Sequence, residues 1–209
     1  GGLTMAFISN GTTMLDAGSF SVGLGSLTHI KTITASNDAN VDFEHGTSSV
    51  VFDSTYPVYL FKFINVHPVT NNVTLQFQAN GVGETGFNET ITSTSFRSYH
   101  TEDDNHTGLE YQTGSDQANG TGYQNLHGGN SNANDSGACG DLFIFNPSST
   151  TYVKHFLGML SCTEQNPAAD QAYIGGYFNT TTALDTMIFK FSSGNIDSGT
   201  FKLYGIKDS

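Results

Sequence analysis

The sequence predicts an all-β protein: an antiparallel β-sandwich, of jelly-roll type, with an irregular N-terminal arm. Three observations carry this expectation. Period-two alternation of apolar and polar residues dominates and helical periodicity is nearly absent. The composition is a strand and turn vocabulary, with 24 Gly, 4 Pro, no Trp and only 7 Lys plus Arg in 209 residues, while Asn, Ser and Thr abound. Turn residues separate the candidate strands at short intervals, as in sandwiches and barrels. A chain of this length can build one sizeable core, with single-domain and two-domain readings both open; the reading taken is one domain plus an arm, with residues 1–26 the arm and 27–209 the sandwich.

In chain order, the arm is Gly-rich and carries Met5, Phe7, Ile8, Met14, Leu15, Phe20 and Leu24. These are apolar enough to dock against another subunit or a partner, and an extra edge strand is the competing reading. Strands are expected at Thr28 to Ala35, Val41 to His45 and Ser49 to Asp53. The run from Tyr59 to Val66 is apolar on both parities, which predicts a central strand covered on both faces, or one whose outer side meets another subunit. "VTLQFQAN" alternates cleanly, placing Val73, Leu75, Phe77 and Ala79 inward. The "TNN" between these two runs is hairpin chemistry. Further strands are expected at Asn88 to His100, Leu109 to Thr113, Asp141 to Asn146, Tyr152 to Cys162, Ala172 to Phe178, Thr186 to Ser192 and Thr200 to Ile206. The last is expected to close the sandwich where the chain ends. Gly114 to Gly140 reads as one long loop, functional or mobile.

The formal net charge of -12 argues against a nucleic-acid partner, because scattered basic residues form no stripe to neutralise phosphates. Anionic membranes are disfavoured likewise, and no apolar run has the roughly 18 residues of a spanning helix, so membrane insertion is not expected. The opening residues lack the basic start and apolar stretch of a signal peptide. Gly1 as first residue leaves initiator loss, trimming and processing all open. Cys139 and Cys162 are the only cysteines; a disulfide and two free thiols are both compatible with the sequence.

Several motifs invite chemistry and are better read as structure. "GVGETG" at Gly81 to Gly86 matches the dinucleotide fingerprint, but an alternating β-branched stretch follows instead of a helix, so a hairpin loop is expected. His100, Glu102, Asp103, Asp104 and His106 could hold a divalent cation, and a charged turn between strands gives the same pattern. Asn130, Asn132, Asn134 and Asp141 faintly echo a calcium loop, but Asp135 stands where that loop needs Gly. Glu84, Glu89, Glu102 and Glu110 could supply a glycosidase pair, which needs only two acids at the right separation. No nucleophile elbow, metalloprotease helix or phosphate loop occurs. Of the triplets of the glycosylation type, at Asn10, Asn72, Asn88, Asn105, Asn119, Asn134 and Asn179, about half are expected by chance in a chain this rich in Asn, Ser and Thr, and they imply glycans only in a secreted eukaryotic protein. No catalytic, cofactor-binding or metal-binding residue is therefore assigned, and no cofactor.

The blocks "DSTYPVYLFKFINVHP", "FRSYHTEDDN", "LFIFNPSSTTYVKHF" and "GYFNTTTALDTMIFKFSSGNIDSGTFKLYGIK" together resemble a group of bacteriophage virion proteins common among marine and cyanobacterial phages. The resemblance covers about Thr28 to Lys207 and leaves the arm uncovered. It implies a non-enzymatic structural protein of the virion, located in the tail fibre or tip apparatus or decorating the capsid. Other virion proteins are then its partners, a homotrimer its expected assembly, and host surface glycans a further contact. The competing reading is a free-standing carbohydrate-binding module or glycan-active enzyme. It is weakened by the missing Trp, the ring best suited to stacking on sugars.

Overall fold

The computed structural model describes residues 27–207 in full and, within the first 26, the backbone of three short strands. These are β1 (Phe7–Ser9), β2 (Thr12–Asp16) and β3 (Ser19–Phe20), paired antiparallel in that order. This corrects the irregular arm. The signal was there: Ser9 pairs with Thr12 and Asn10-Gly11 lies between, the strongest short hairpin dipeptide. The arm's attachment role and its apolar side chains lie outside the described residues.

The body contains β4 (Leu27–Asp38), β5 (Val41–Glu44), β6 (Val58–Pro68), β7 (Val73–Gly81), β8 (Ile91–Thr101), β9 (Thr107–Tyr111), β10 (Gln124–Asn130), β11 (Ala138–Phe145), β12 (Lys154–Thr163), β13 (Ala168–Phe178), β14 (Leu184–Phe191) and β15 (Ile196–Ile206), with no helix among the described residues. They form two antiparallel sheets, one of eight strands in the order β4-β15-β6-β11-β12-β13-β8-β9 and one of four in the order β10-β7-β14-β5. The sandwich is as expected, and eight strands against four exceeds the eight in all of a simple jelly roll.

The core between the sheets is aromatic. Phe189 of β14 is fully buried and its ring lies 5.1 to 6.4 Å from those of Phe61, Phe63 and Phe201 on the larger sheet and Phe43 and Phe77 on the smaller. Edge-on and tilted arrangements prevail, as the ring quadrupoles prefer. Val73, Leu75, Phe77 and Ala79 all face this core, and so do Phe201, Leu203 and Gly205. At Gly205 the space is taken by the Tyr56 ring, which leaves no room for a Cβ.

Four local expectations are corrected. Ser49 to Asp53 is a turn segment. Val50 and Phe52 are buried as alternation implies, but Ser48 and Ser49 adopt positive φ. The amides there are bound locally: Val50 N–H donates to Thr47 O, Phe52 N–H to His45 Nδ1 and Asp53 N–H to the Tyr59 hydroxyl. "TNN" turns at Asn72, whose φ is 59°, yet it joins strands of different sheets, because β6 pairs with β11 and β15 whereas β7 pairs with β10 and β14. "GVGETG" likewise leads from β7 in the smaller sheet to β8 in the larger, so it is a crossover and not a hairpin. Finally, the segment Gly114 to Gly140 contains β10 and the start of β11. Its earlier part is sewn to β8 by hydrogen bonds from Ser93 N–H to Gln117 O and between Ile91 and Gly120 in both directions.

Candidate assembly surface

The larger sheet has one face on the core and one turned outward, and strand register decides which side chains share the outer face. The pairings Phe96↔Tyr111, Phe96↔Tyr173 and Tyr173↔Met159 line up one row across β9, β8, β13 and β12. The next row is Thr94, Gly175, Leu157, Phe143 and Leu60. Side chains directly opposite across strands touch, and Phe96 and Tyr173 do so with parallel rings 4.8 Å apart. The result is a contiguous apolar face with Leu109 74 %, Leu157 55 %, Tyr111 52 %, Met159 45 % and Phe96 43 % exposed. A shallow groove of about 530 Å³ runs along it between Phe96, Tyr173, Leu157 and Met159, floored by Gly175. The floor is open because Gly175 has no side chain; a Cβ there would meet Leu157 Cδ2 at 3.3 Å. No charged residue lines the groove. Its boundary on the β6 side is the ion pair between Lys62 Nζ and Asp141 Oδ1, 2.6 Å apart.

The outer side of Tyr59 to Phe63, where the sequence pointed to a subunit contact, is Leu60 and Lys62. Leu60 is buried among its neighbours and Lys62 is paired, so the exposed apolar surface lies mainly on β8, β9, β12 and β13.

Glu84 and Glu89 lack the spacing of a glycosidase pair. Glu84 and Glu89 are brought together by the crossover, with their carboxyl groups hydrogen-bonded to each other, closer than the 5 Å or more that a sugar between two acids requires. Glu89 is buried, and Oε1 accepts the Gly81 N–H at 2.8 Å. Burial, then the hydrogen bond to Glu84, pushes its pKa up to about 7. Lys154, also fully buried, donates to Tyr152 O and Thr180 O; burial lowers its pKa against the pull of Glu89. Glu102 is exposed, its amide bound to Pro167 O. Glu110 receives Arg97 Nε–H at 2.8 Å.

The turn from His100 to His106 connects β8 and β9, and its two aspartates are occupied within it. Asp103 accepts from Thr101 Oγ1, Asn105 N–H and Asn105 Nδ2, and Asp104 lies 2.9 Å from His100 Nε2. The calcium-loop echo is dispersed: Asn130 Nδ2 donates to Val73 O and His127 O, Asn132 Nδ2 to Val69 O, and Asp141 is paired with Lys62. Among the described residues no group of three or more His, Cys, Asp or Glu is arranged to hold a metal ion.

Cys139 and Cys162 are free, one exposed and one buried. The register Cys139↔Ser161 and Ala138↔Cys162 puts them on opposite faces of the same sheet, which rules out a bond between them.

Sequence reasoning missed a polar cluster between the sheets. His127 Nδ1 lies 3.0 Å from Cys162 Sγ and 2.6 Å from Gly128 O, and Nε2 lies 3.5 Å from Asp170 Oδ1. Arg97 Nη1 donates to both Glu164 Oε1 and Asp170 Oδ2 at 2.8 Å. Cys, His and Asp in contact have the composition of a thiol hydrolase. Burial, with Asp170 and Glu164 adding to it, nevertheless drives the Cys162 thiol far above its ordinary range, so it is no thiolate nucleophile. Burial and the hydrogen bond to Asp170 push Glu164 up to about 7. Burial pushes Asp170 up as well, but the neighbouring His127 and Glu164 side chains and the Arg97 charge outweigh it and hold the group below the ordinary carboxylate range. The cluster can store a proton, because Glu164 is raised to about 7.

Compared with known proteins, the chain matches no family model, no curated protein and no solved structure. No helix among the described residues is long and apolar enough to cross a membrane.

Proposed function

We propose that this protein is a non-enzymatic structural component of a bacteriophage virion, displayed in the tail fibre or tip apparatus or as a capsid decoration. The observation that carries the assembly role is the contiguous uncharged apolar face on the larger sheet of a chain whose net charge is -12. Patches of several hundred Å² on an otherwise polar surface mark contact sites. The virion setting is supported by the sequence blocks from Thr28 to Lys207. A three-copy assembly with other virion proteins as neighbours follows from that resemblance, and host glycans would be met by the loops left outside the contact.

The test is quantitative mass spectrometry of gradient-purified particles of the encoding phage, with heads and tails separated. A fixed copy number relative to the major head protein, in one of the two fractions, is expected. Absence from particles, or hydrolysis of a glycan by the purified chain, would overturn the proposal.

A further inference from the structure

We infer that the groove floored by Gly175 is where copies of this chain pack against one another. The inference rests on the structural reading above and names the partner of the same surface. Three observations select a second copy as the occupant.

The first is charge. Each copy carries -12, so approach through most of the surface brings like charges together, which is destabilising at close range. No charged side chain lines the groove, and Asp141, opposite Met159, is paired with Lys62, so here two copies can come into contact without burying an unpaired charge. A basic partner would seek the acidic surface instead and gain nothing at this face.

The second is shape. Contact between copies needs projections and a recess in one patch, because each copy supplies both sides. Leu157 and Met159 project, at 55 % and 45 % exposed, beside the recess over Gly175. The strands beneath are fully paired, with β12 bonded to β11 and β13 and β13 to β8 along its whole length. The face therefore offers a flat sheet for another sheet to stack on at roughly 10 Å.

The third is area. Leu109, Leu157, Tyr111, Met159 and Phe96 together expose on the order of 500 Å² of apolar surface. The flanking Thr94, Ser98 and Gln171 extend the face toward the roughly 800 Å² per partner of a standard stable interface.

The experiment uses the full chain, measured by light scattering coupled to size exclusion over a dilution series, with far-ultraviolet circular dichroism as the folding check. The expected result is an oligomer for the native sequence. Leu157→Glu and Met159→Lys, each placing a charge in the groove, are expected to weaken association on the order of a hundredfold or more while retaining the β spectrum. Tyr152→Glu, on an exposed loop, should leave the mass unchanged. Both groove positions are exposed, so folding survives the change, and the second variant stands if the first does not fold. A native chain that is monomeric throughout, or an oligomer whose mass neither groove variant alters, overturns the inference. A monomer that is nevertheless found in particles removes the contact and leaves the structural role standing. Absence from particles removes the structural role and leaves an association seen in solution standing.

Discussion

Glu89→Gln should make the protein more stable at alkaline pH, and the reason is an acid held in the wrong place to ionise. Glu89 is 7 % exposed and its pKa is raised from 4.5 to about 7, by burial and then by Glu84, with Lys154 offsetting part. For an acid whose pKa is higher folded than unfolded, the folded state binds more protons between the two values. The free energy of unfolding therefore falls as pH rises from about 4.5 through about 7. A shift of that size corresponds to about 3 kcal/mol, or roughly 6–12 °C in melting temperature for a chain of this length. Gln at position 89 keeps the acceptor for the Gly81 N–H and can donate to Glu84 as the protonated acid does, so it copies the stable form and cannot ionise. Urea unfolding of both proteins at fixed concentration between pH 5 and pH 8 is the assay. The two should be nearly equal at pH 5, and the variant should be more stable by about 2–3 kcal/mol at pH 8. Glu164 is raised to about 7 as well, so the variant keeps part of the decline. Parallel curves, or a variant that loses stability faster than the native chain above pH 7, would refute the reasoning.

Other outcomes follow from the core and the cluster. Phe189→Ala empties the hub that joins the two sheets and should cost about 3–5 kcal/mol in urea unfolding; a cost under about 1 kcal/mol would mean the sheets do not pack around that ring. Arg97→Met removes the cation between Asp170 and Glu164 and should destabilise by about 3–5 kcal/mol at neutral pH, and less at acidic pH where Glu164 is protonated. Disulfide-exchange titration of thiols should find one fast-reacting group in the native protein, Cys139, and a second, Cys162, only after unfolding, with no disulfide by mass.

Most strands were legible because each keeps one face on the core. β7 and β15 read directly as alternating sequences. β10 did not: its register shifts at Asn125/His127 and again at His127/Asn130, so Gln124, Leu126, His127 and Asn130 are all buried without a period of two. Turn chemistry was legible at Asn72, but which sheet the chain entered next was not, since a positive φ sets direction and not partner. The apolar outer face left a trace in "KHFLGMLSC", where Phe156 and Leu160 face inward and Leu157 and Met159 outward. The same two-sided signal in β6 ends in a buried Leu60, because Phe143 on the neighbouring strand β11 sits beside it. Lys154, His127 and Asp170 were illegible as interior residues. A polar side chain at an inward position looks like any other until its partners, dozens of residues away, are folded against it.

The most direct measurement is oxidative footprinting of the outer face in the assembled particle against the isolated Leu157→Glu chain. The account predicts that Met159 and Phe96 are shielded in the particle while Tyr152 oxidises equally in both. Equal oxidation of Met159 and Phe96 in particle and isolated chain would contradict it.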